Sequence, residues 1–169
     1  MNLIALVNNN DEIVGYEDKL KVHQDGLLHR AFSIIVFNIN NEILLQKRAS
    51  TKYHSPGLWT NTCCSHLPKN QRFYVYMRNR LKDEMGLDCE LEFKFKFTYK
   101  AEFPNGLIEH ETDHVYFGYW NGTPEINPEE ADDYKWISIK YLKKDMNINP
   151  ENYTYWFKEI LKENDYFAF

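Results

Sequence analysis

The order of the predicted helices and strands constrains this fold most, because one helical segment separates two groups of strand-forming segments. The helical segment carries apolar residues at four-residue spacing: Phe73, Met77, Leu81 and Met85. Such a stripe is typical of a helix with one buried face, and Gly86 follows it at a suitable C-cap position. The pattern predicts a helix over about Arg72–Met85.

Strand-forming segments are predicted on both sides of this helix. Those before it are Leu3–Asn8, Ile13–Tyr16 and a hairpin of Leu27–Ile39 with Glu42–Lys47, and those after it are Glu90–Ala101, Leu107–Trp120 and Tyr134–Ile139. A final amphipathic helix is predicted from Pro150 to about Glu163. Runs of strands interrupted by one helix favour an α+β sandwich over alternating βαβ units.

Length and composition narrow the classes of function. A chain of 169 residues predicts one domain over residues 1–169 with a sizeable core, since 43% of the residues are apolar. The net charge of −5 argues against a nucleic-acid partner, and no apolar run approaches the roughly 20 residues that span a bilayer. The N-terminal segment lacks a basic leader, and the three cysteines imply no disulfide framework. We therefore expect a cytosolic protein with reduced thiols.

The clearest candidate for chemistry is the segment Trp59–His66, in which Cys64 lies two residues from His66. If the segment is extended, alternate side chains share a face and both groups point the same way. A thiol beside an imidazole can transfer protons. The alternative is a buried cysteine next to a core histidine, and this segment alone does not decide between the two.

A second pattern places Glu109 and Glu111 on one face of a predicted strand, while His110 between them faces the other side. Neighbouring carboxylates repel each other unless a cation lies between them, and carboxylates with imidazoles suit Zn²⁺, Mn²⁺ or Fe²⁺. Spacing alone does not bring the candidate histidines together; they are His23, His29 and His66. The alternative is an exposed acidic edge.

Basic side chains form a third set, which either covers the surface or lines an anion site. Its members are Lys19, Arg48, Lys52, Arg78 and Arg80. Convergence of several of them on one cleft of an acidic protein would indicate an anionic substrate, because arginine binds phosphate bidentately. Trp156 is expected either in the core or with its indole face lining a pocket, where it would stabilise a cation.

These segments in this order resemble the type I isopentenyl-diphosphate delta-isomerases, a branch of the Nudix superfamily. The resemblance covers nearly the whole chain and is carried by His23–Ser33, Lys47–Ala49, Pro56–His66, Arg80–Gly86, Tyr99–Ala101, Glu109–Glu111 and Tyr155–Phe157. The combination of WTNTCCSH with a downstream Glu-x-Glu is highly specific. The resemblance implies a Nudix-like α/β/α sandwich with a mixed central sheet.

The resemblance further implies an enzyme of isoprenoid biosynthesis that interconverts isopentenyl diphosphate and dimethylallyl diphosphate. A proton is added at one end of the allyl unit and removed at the other, on opposite faces, through a tertiary carbocation-like intermediate. Cys64 and Glu111 match the family's two proton-transfer positions. Tyr99 matches a tyrosine that assists the carboxylate, and Trp156 matches the aromatic residue that faces the developing cation.

Two metal sites and a diphosphate site are also implied by the resemblance. The Mn²⁺ or Zn²⁺ site matches His23, His29, His66, Glu109 and Glu111. A Mg²⁺ site that bridges to the diphosphate matches Glu84 and the backbone carbonyl of Cys64. The diphosphate-binding positions match Lys19, Arg48, Lys52 and Arg80. The expected partner is this small allylic or homoallylic diphosphate, without nucleic acid or membrane, and the expected assembly is a monomer or weak homodimer.

The rival prediction is a Nudix-type metal-dependent diphosphate hydrolase. The hydrolase signature would run over 65–87, but Gln71 stands at its first glutamate position and Asn79-Arg80 replaces its Arg-Glu pair. A hydrolase needs several helix carboxylates around Mg²⁺, and this segment offers only the pair Asp83-Glu84. Departures from isomerases, such as Leu67 in place of proline, leave both proton-transfer residues in position. A catalytically silent metal-binding scaffold is remote, because every catalytic position is filled.

Overall fold

Nine strands form one mixed sheet in the computed structural model, which describes residues 2–167. The strands are β1 (Leu3–Val7), β2 (Ile13–Asp18), β3 (His29–Phe37), β4 (Glu42–Arg48), β5 (Trp59–Thr60), β6 (Cys63–His66), β7 (Leu91–Glu102), β8 (Ile108–Tyr119) and β9 (Ala131–Ser138). The helices are α1 (Lys19–Asp25), α2 (Phe73–Met85), α3 (Ile139–Ile148) and α4 (Tyr155–Ile160). A short 3₁₀ turn at Pro150–Asn152 precedes α4.

Strand β3 lies at the centre of the sheet. Strand β8 runs parallel to it along one edge from His29 to Phe37. The other edge pairs in turn with β1, β6 and β4, all antiparallel. The apolar run of β3 is buried at almost every position, which is typical of a strand covered on both faces.

Helices cover both faces of the sheet, so the predicted α/β/α sandwich is confirmed. One core cluster joins β3 to α2 and includes Phe32, Ile34, Met77, Leu81 and Met85. The other joins β8 to α3 and α4 and includes Val115, Phe117, Leu142, Phe157 and Ile160. Full burial of each such side chain stabilises the fold by about 1.5–3 kcal/mol.

Two predicted elements differ from the structure. The predicted β3–β4 hairpin meets only at Phe37 and Ile43, because β6 and β8 pair with β3 while β9 pairs with β4. The predicted C-terminal helix is broken between its 3₁₀ turn and α4. There the backbone N–H of Thr154 donates to Trp59 O at 3.0 Å, which holds this residue in an extended conformation beside β5.

Helices α1 and α3 were not predicted, although side chains cap both. Asp18 Oδ1 accepts hydrogen bonds from the N–H groups of Leu20 and Lys21 at the start of α1. Ser138 Oγ accepts from Tyr141 N at the start of α3. Each helix has ten residues or fewer, too few for a strong periodic pattern. Within residues 2–167, no helix has the length and apolar character needed to cross a bilayer.

Gly86→Ala is expected to lower the free energy of unfolding by about 2–4 kcal/mol in a urea titration. Gly86 ends α2 at φ 65°, and an added Cβ would lie 2.5 Å from the backbone oxygen of Glu125. The left-handed backbone and this clash both oppose alanine. Gly106→Ala is the matched control, because φ is 83° there and nothing lies within 4 Å. Equal losses in the two variants would contradict the contribution of the Glu125 contact.

Candidate active site

A cavity of about 250 Å³ is lined by residues of β3, β6, β8 and the loop 49–58. All four predicted catalytic residues line it: Cys64, Tyr99, Glu111 and Trp156. All four predicted diphosphate-binding residues do so as well: Lys19, Arg48, Lys52 and Arg80. The predicted metal ligands His66, Glu84 and Glu109 also line the cavity. The other two predicted ligands, His23 and His29, are fully buried against His66.

The five ligands predicted for the histidine site converge, although they come from four elements. His23 is on α1, His29 begins β3, His66 ends β6, and Glu109 and Glu111 are on β8. The sheet register brings them together, because Glu111 is paired with His29 and Ala31 with His66. One ligand atom from each of the five lies within 4.8 Å of the others.

The backbone determines which nitrogen of two of these histidines faces the cluster. His23 Nδ1 lies 2.6 Å from Lys19 O, and His29 Nδ1 lies 2.9 Å from Leu27 O. A carbonyl only accepts a hydrogen bond, so each Nδ1 carries the proton and each Nε2 presents a lone pair. In the described part of the chain, His23 Nε2 and Glu109 Oε2 are buried without a hydrogen-bond partner. This set of nitrogen and oxygen donors fits a divalent cation.

The charges of the cluster also favour a cation. His29 Nε2 and His66 Nε2 lie 3.2 Å and 3.0 Å from Glu111 Oε1. Burial lowers the pKa of His66, but the neighbouring carboxylates of Glu109 and Glu111 outweigh burial and raise this pKa to about 9. The two buried carboxylates therefore hold a proton on His66, and a divalent cation would take the place of that proton.

Cys64 and Cys63 point to opposite faces of the sheet, as predicted for an extended segment. Cys64 packs against the cluster that contains Trp156, whereas Cys63 is buried in the cluster under α2. Cys63 Sγ donates to Glu84 Oε2 at 2.8 Å. Burial raises the pKa of the Cys64 thiol, although the charge of Arg48 opposes this shift, so the thiol is protonated at neutral pH.

Glu111 lies across β3 from Cys64. Their strands β8 and β6 pair with opposite edges of β3, so the two strands are about 10 Å apart. Tyr99 OH donates to Glu111 Oε2 at 2.8 Å, which leaves Oε1 facing the histidines. The predicted facial assignment of β8 is confirmed, because His110 points away and its Nδ1 lies 3.1 Å from Gly26 O.

Trp156 forms a wall of the cavity and is only 3% exposed. Its Nε1 donates to Asn61 Oδ1 at 3.1 Å, which fixes the orientation of the indole. The guanidinium of Arg48 lies 5.3 Å from the centre of the indole ring. This cation–π contact demonstrates that the indole face attracts positive charge.

The basic side chains of the cavity crowd one another. Burial lowers the pKa of Lys19, and the charges of Lys52 and Arg48 lower it further. Glu130 partly balances this charge, because it pairs with Lys52 and, at 3.0 Å, with Arg80. A cavity that gathers several cations favours an anionic ligand.

Glu84 is the carboxylate of α2 that lines the cavity. Its Oε1 accepts a hydrogen bond from Arg80 at 2.9 Å, while its Oε2 contacts Cys63. Arg78, also in the basic set, instead pairs with Asp88 at 2.9 Å outside the cavity. Residues four apart share a helix face, so α2 presents one cation and one carboxylate together.

Three buried or half-buried residues of the site were not predicted: His54, Asn61 and Glu130. His54 Nε2 lies 2.8 Å from Glu109 Oε1. His54 lies in sequence between Lys52 and Pro56-Gly57, but no spacing in the sequence connects it to Glu109. Glu130 is 50 residues from Arg80 in sequence, and no local pattern indicates that pair.

Comparisons with known proteins agree on one family. A profile described as the NUDIX domain matches residues 27–157. Isopentenyl-diphosphate Delta-isomerase 2 of Aromatoleum aromaticum is 49% identical over 94% of this chain and 84% of its own length. Isopentenyl-diphosphate Delta-isomerase of Serratia proteamaculans is 45% identical over 95% of this chain and 90% of its own length.

Solved structures support the fold alone, because their sequence identities are low. DR0079 from Deinococcus radiodurans has a TM-score of 0.79 at 16% identity and covers 95% of this chain and 97% of its own. The MutT protein from Methanosarcina mazei has a TM-score of 0.67 at 14% identity and covers 82% of this chain and 94% of its own. The NUDIX profile and the two sequence relatives show that the chain belongs to the NUDIX domain family and, within it, to the isopentenyl-diphosphate Delta-isomerases.

Proposed function

We propose that this protein interconverts isopentenyl diphosphate and dimethylallyl diphosphate. The names of its relatives support this activity. The observation that carries it is a single small cavity lined by a thiol, a carboxylate on the other side of β3, and an indole wall. A flat five-carbon group between the thiol and the carboxylate could gain a proton on one face and lose one on the other.

Cys64 and Glu111 are the proposed proton-transfer groups. One adds a proton to the terminal carbon of the alkene, and the other removes a proton from the second carbon from the diphosphate, so the double bond moves by one carbon. Tyr99 donates to Glu111 Oε2 and thereby holds the carboxylate in position.

Trp156 is proposed to stabilise the tertiary cation formed between the two proton transfers. Its indole face already attracts the Arg48 guanidinium, and a desolvated cation–π contact contributes about 2 kcal/mol. Lys19, Arg48, Lys52 and Arg80 are proposed to bind the diphosphate. Binding energy from this remote group can then be used to hold the reacting carbons in a closed cavity.

The histidine site is proposed to hold Mn²⁺ or Zn²⁺ through His23, His29, His66, Glu109 and Glu111. The unpartnered His23 Nε2 and Glu109 Oε2 support this ligand set, and five mixed ligands suit a six-coordinate ion better than a closed four-coordinate one. When bound, such an ion would supply positive charge beside the Glu111 carboxylate. Mg²⁺ is proposed to bind Glu84 and the backbone carbonyl of Cys64, beside the diphosphate.

Hydrolysis of a diphosphate is the alternative that this site supports less well. A NUDIX hydrolase needs several helix carboxylates beside the scissile phosphate, and among the described residues Glu84 is the one carboxylate of α2 that lines the cavity. That carboxylate is already paired with Arg80 at 2.9 Å. We further propose that the protein acts in the cytosol, which its free cysteines support. We propose a single domain over residues 1–169 that is a monomer or weak homodimer.

Incubation with isopentenyl diphosphate and Mg²⁺ in D₂O separates these activities. We expect NMR to detect dimethylallyl diphosphate with deuterium in a methyl group and no release of phosphate. The methyl group carries deuterium because the proton added to the terminal carbon comes from groups that exchange with solvent. Phosphate release without deuterium in the hydrocarbon would contradict the isomerase and support the hydrolase.

A further inference from the structure

His54 is a buried histidine outside the proposed set of five metal ligands. It lies in the loop 49–58 between β4 and β5 and is only 6% exposed. Its ring stacks on Phe103, with centroids 5.0 Å apart and planes at 15°. It also meets Trp156 edge-on at 5.8 Å. These contacts fix the imidazole between the metal cluster and the aromatic wall of the cavity.

The two oxygens of Glu109 have different surroundings. Oε1 lies 2.8 Å from His54 Nε2 and 3.5 Å from His23 Nε2. Oε2 has no hydrogen-bond partner among the described residues and lies 3.8 Å and 3.9 Å from the Nε2 atoms of His29 and His66. The carboxylate is therefore oriented with one oxygen bound by the loop and the other directed into the cluster.

We propose that His54 is a positioning residue, which holds Glu109 Oε1 so that Oε2 faces the metal and thereby joins the loop 49–58 to the metal centre. This inference rests on the proposed Mn²⁺ or Zn²⁺ site. Groups that hydrogen-bond metal-ligating carboxylates from outside commonly change metal affinity by about 10–100-fold when they are removed. His54 belongs to this kind of group, because its ring lies 6.3 Å from that of His23 and it is absent from the five-atom cluster.

The same loop also carries groups of the proposed diphosphate site. Lys52 pairs with Glu130, and the carbonyl of His54 accepts a hydrogen bond from Arg48 at 3.3 Å. Loss of the contact between His54 and Glu109 should therefore loosen the loop and also weaken metal binding. The fold should tolerate that loss, because His54 also borders a groove of about 780 Å³ that lies open beside it, so its removal does not leave a sealed void.

The test compares Mn²⁺ binding by EPR titration in the wild-type protein, His54→Ala, His54→Gln and His110→Ala. We expect His54→Ala to raise the dissociation constant for Mn²⁺ by about 10–100-fold. Glutamine should recover most of the affinity, because its amide N–H can donate to Glu109. His110→Ala is the control, since its ring points to the other face of β8. Circular dichroism checks that each variant is folded. A raised KM for isopentenyl diphosphate in His54→Ala at saturating Mn²⁺ would indicate the loosened loop.

Different failures have different meanings in this test. If wild-type protein does not bind one Mn²⁺ per chain and Zn²⁺ does not bind either, the proposed metal site and the role of His54 both fail. If wild-type protein binds one ion and His54→Ala binds it equally tightly, the role of His54 is overturned while the metal site stands. If His54→Ala does not fold, the comparison of His54→Gln with His54→Leu decides, because only glutamine can donate a hydrogen bond to Glu109. An affinity for Mn²⁺ in His54→Gln as low as that in His54→Leu would contradict positioning through this hydrogen bond.

Discussion

Cys64→Ala is expected to lower kcat for isopentenyl diphosphate by about 10³-fold or more, since removal of a positioned proton-transfer group typically costs 10²–10⁴-fold. The thiol lines the cavity and is protonated because burial raises its pKa. Alanine keeps the backbone carbonyl proposed for Mg²⁺ and removes the thiol together with its exchangeable proton. Steady-state kinetics with purified protein, monitored by NMR, would measure this loss.

Cys63→Ala is the matched control for this experiment. The adjacent thiol has the same chemistry but lies under α2, where Sγ donates to Glu84. We expect kcat within about 10-fold of wild type, well short of the 10²–10⁴-fold loss typical of a proton-transfer group, because Cys63 lies outside the cavity lining and Glu84 keeps its pairing with Arg80. A loss equal to that of Cys64→Ala would contradict the facial assignment of β6.

Glu111→Gln is expected to lower kcat by a similar or larger factor, about 10³-fold or more. The amide oxygen can still accept the hydrogen bond from Tyr99, but glutamine cannot take up or release the proton. It also removes one negative charge from the proposed metal site, so metal content should fall. Kinetics together with metal analysis by mass spectrometry would separate the two effects.

His110→Ala is the control for this second prediction, because His110 lies between the two carboxylates in sequence and points to the opposite face. We expect metal content and kcat close to wild type. If Glu111→Gln retained substantial turnover when fully loaded with metal, then Glu111 would serve only as a ligand and not as a proton-transfer group.

Strand alternation and helix periodicity made the central elements predictable. The stripe from Phe73 to Met85 predicted α2 to within one residue of its observed start. Alternation along β8 correctly separated Glu109 and Glu111 from His110. Both patterns are local, because a buried face repeats along each element regardless of what covers it.

Two of the predictions that differ from the structure, the C-terminal helix and the β3–β4 hairpin, depend on contacts between distant segments. Residues before α4 are extended because Thr154 bonds to Trp59, and nothing in the local pattern after Pro150 indicates this. Strand β3 pairs with β8 over nine positions but with β4 over one. Sheet order of this kind is set by packing of the whole sheet and not by the turn between two strands.

The residues of the candidate site also divide into those that the sequence could predict and those that it could not. Residues within strong motifs, such as Cys64 and Glu111, were predictable from a family resemblance and are brought into one cavity by the structure. His54 was not, because its significance lies in a 2.8 Å contact with Glu109, 55 positions away in the chain. An isolated histidine in a polar loop carries no periodic signal.

The stereochemistry of proton exchange tests most directly whether Cys64 and Glu111 act from opposite sides of the allyl group. Isopentenyl diphosphate with defined isotopes at its terminal and second carbons would be converted in D₂O, and the new methyl group and the one hydrogen that remains on the second carbon would be analysed. We predict addition at the terminal carbon on one face and loss from the second carbon on the opposite face. Addition and loss on the same face would contradict the placement of the two groups on opposite sides of the substrate.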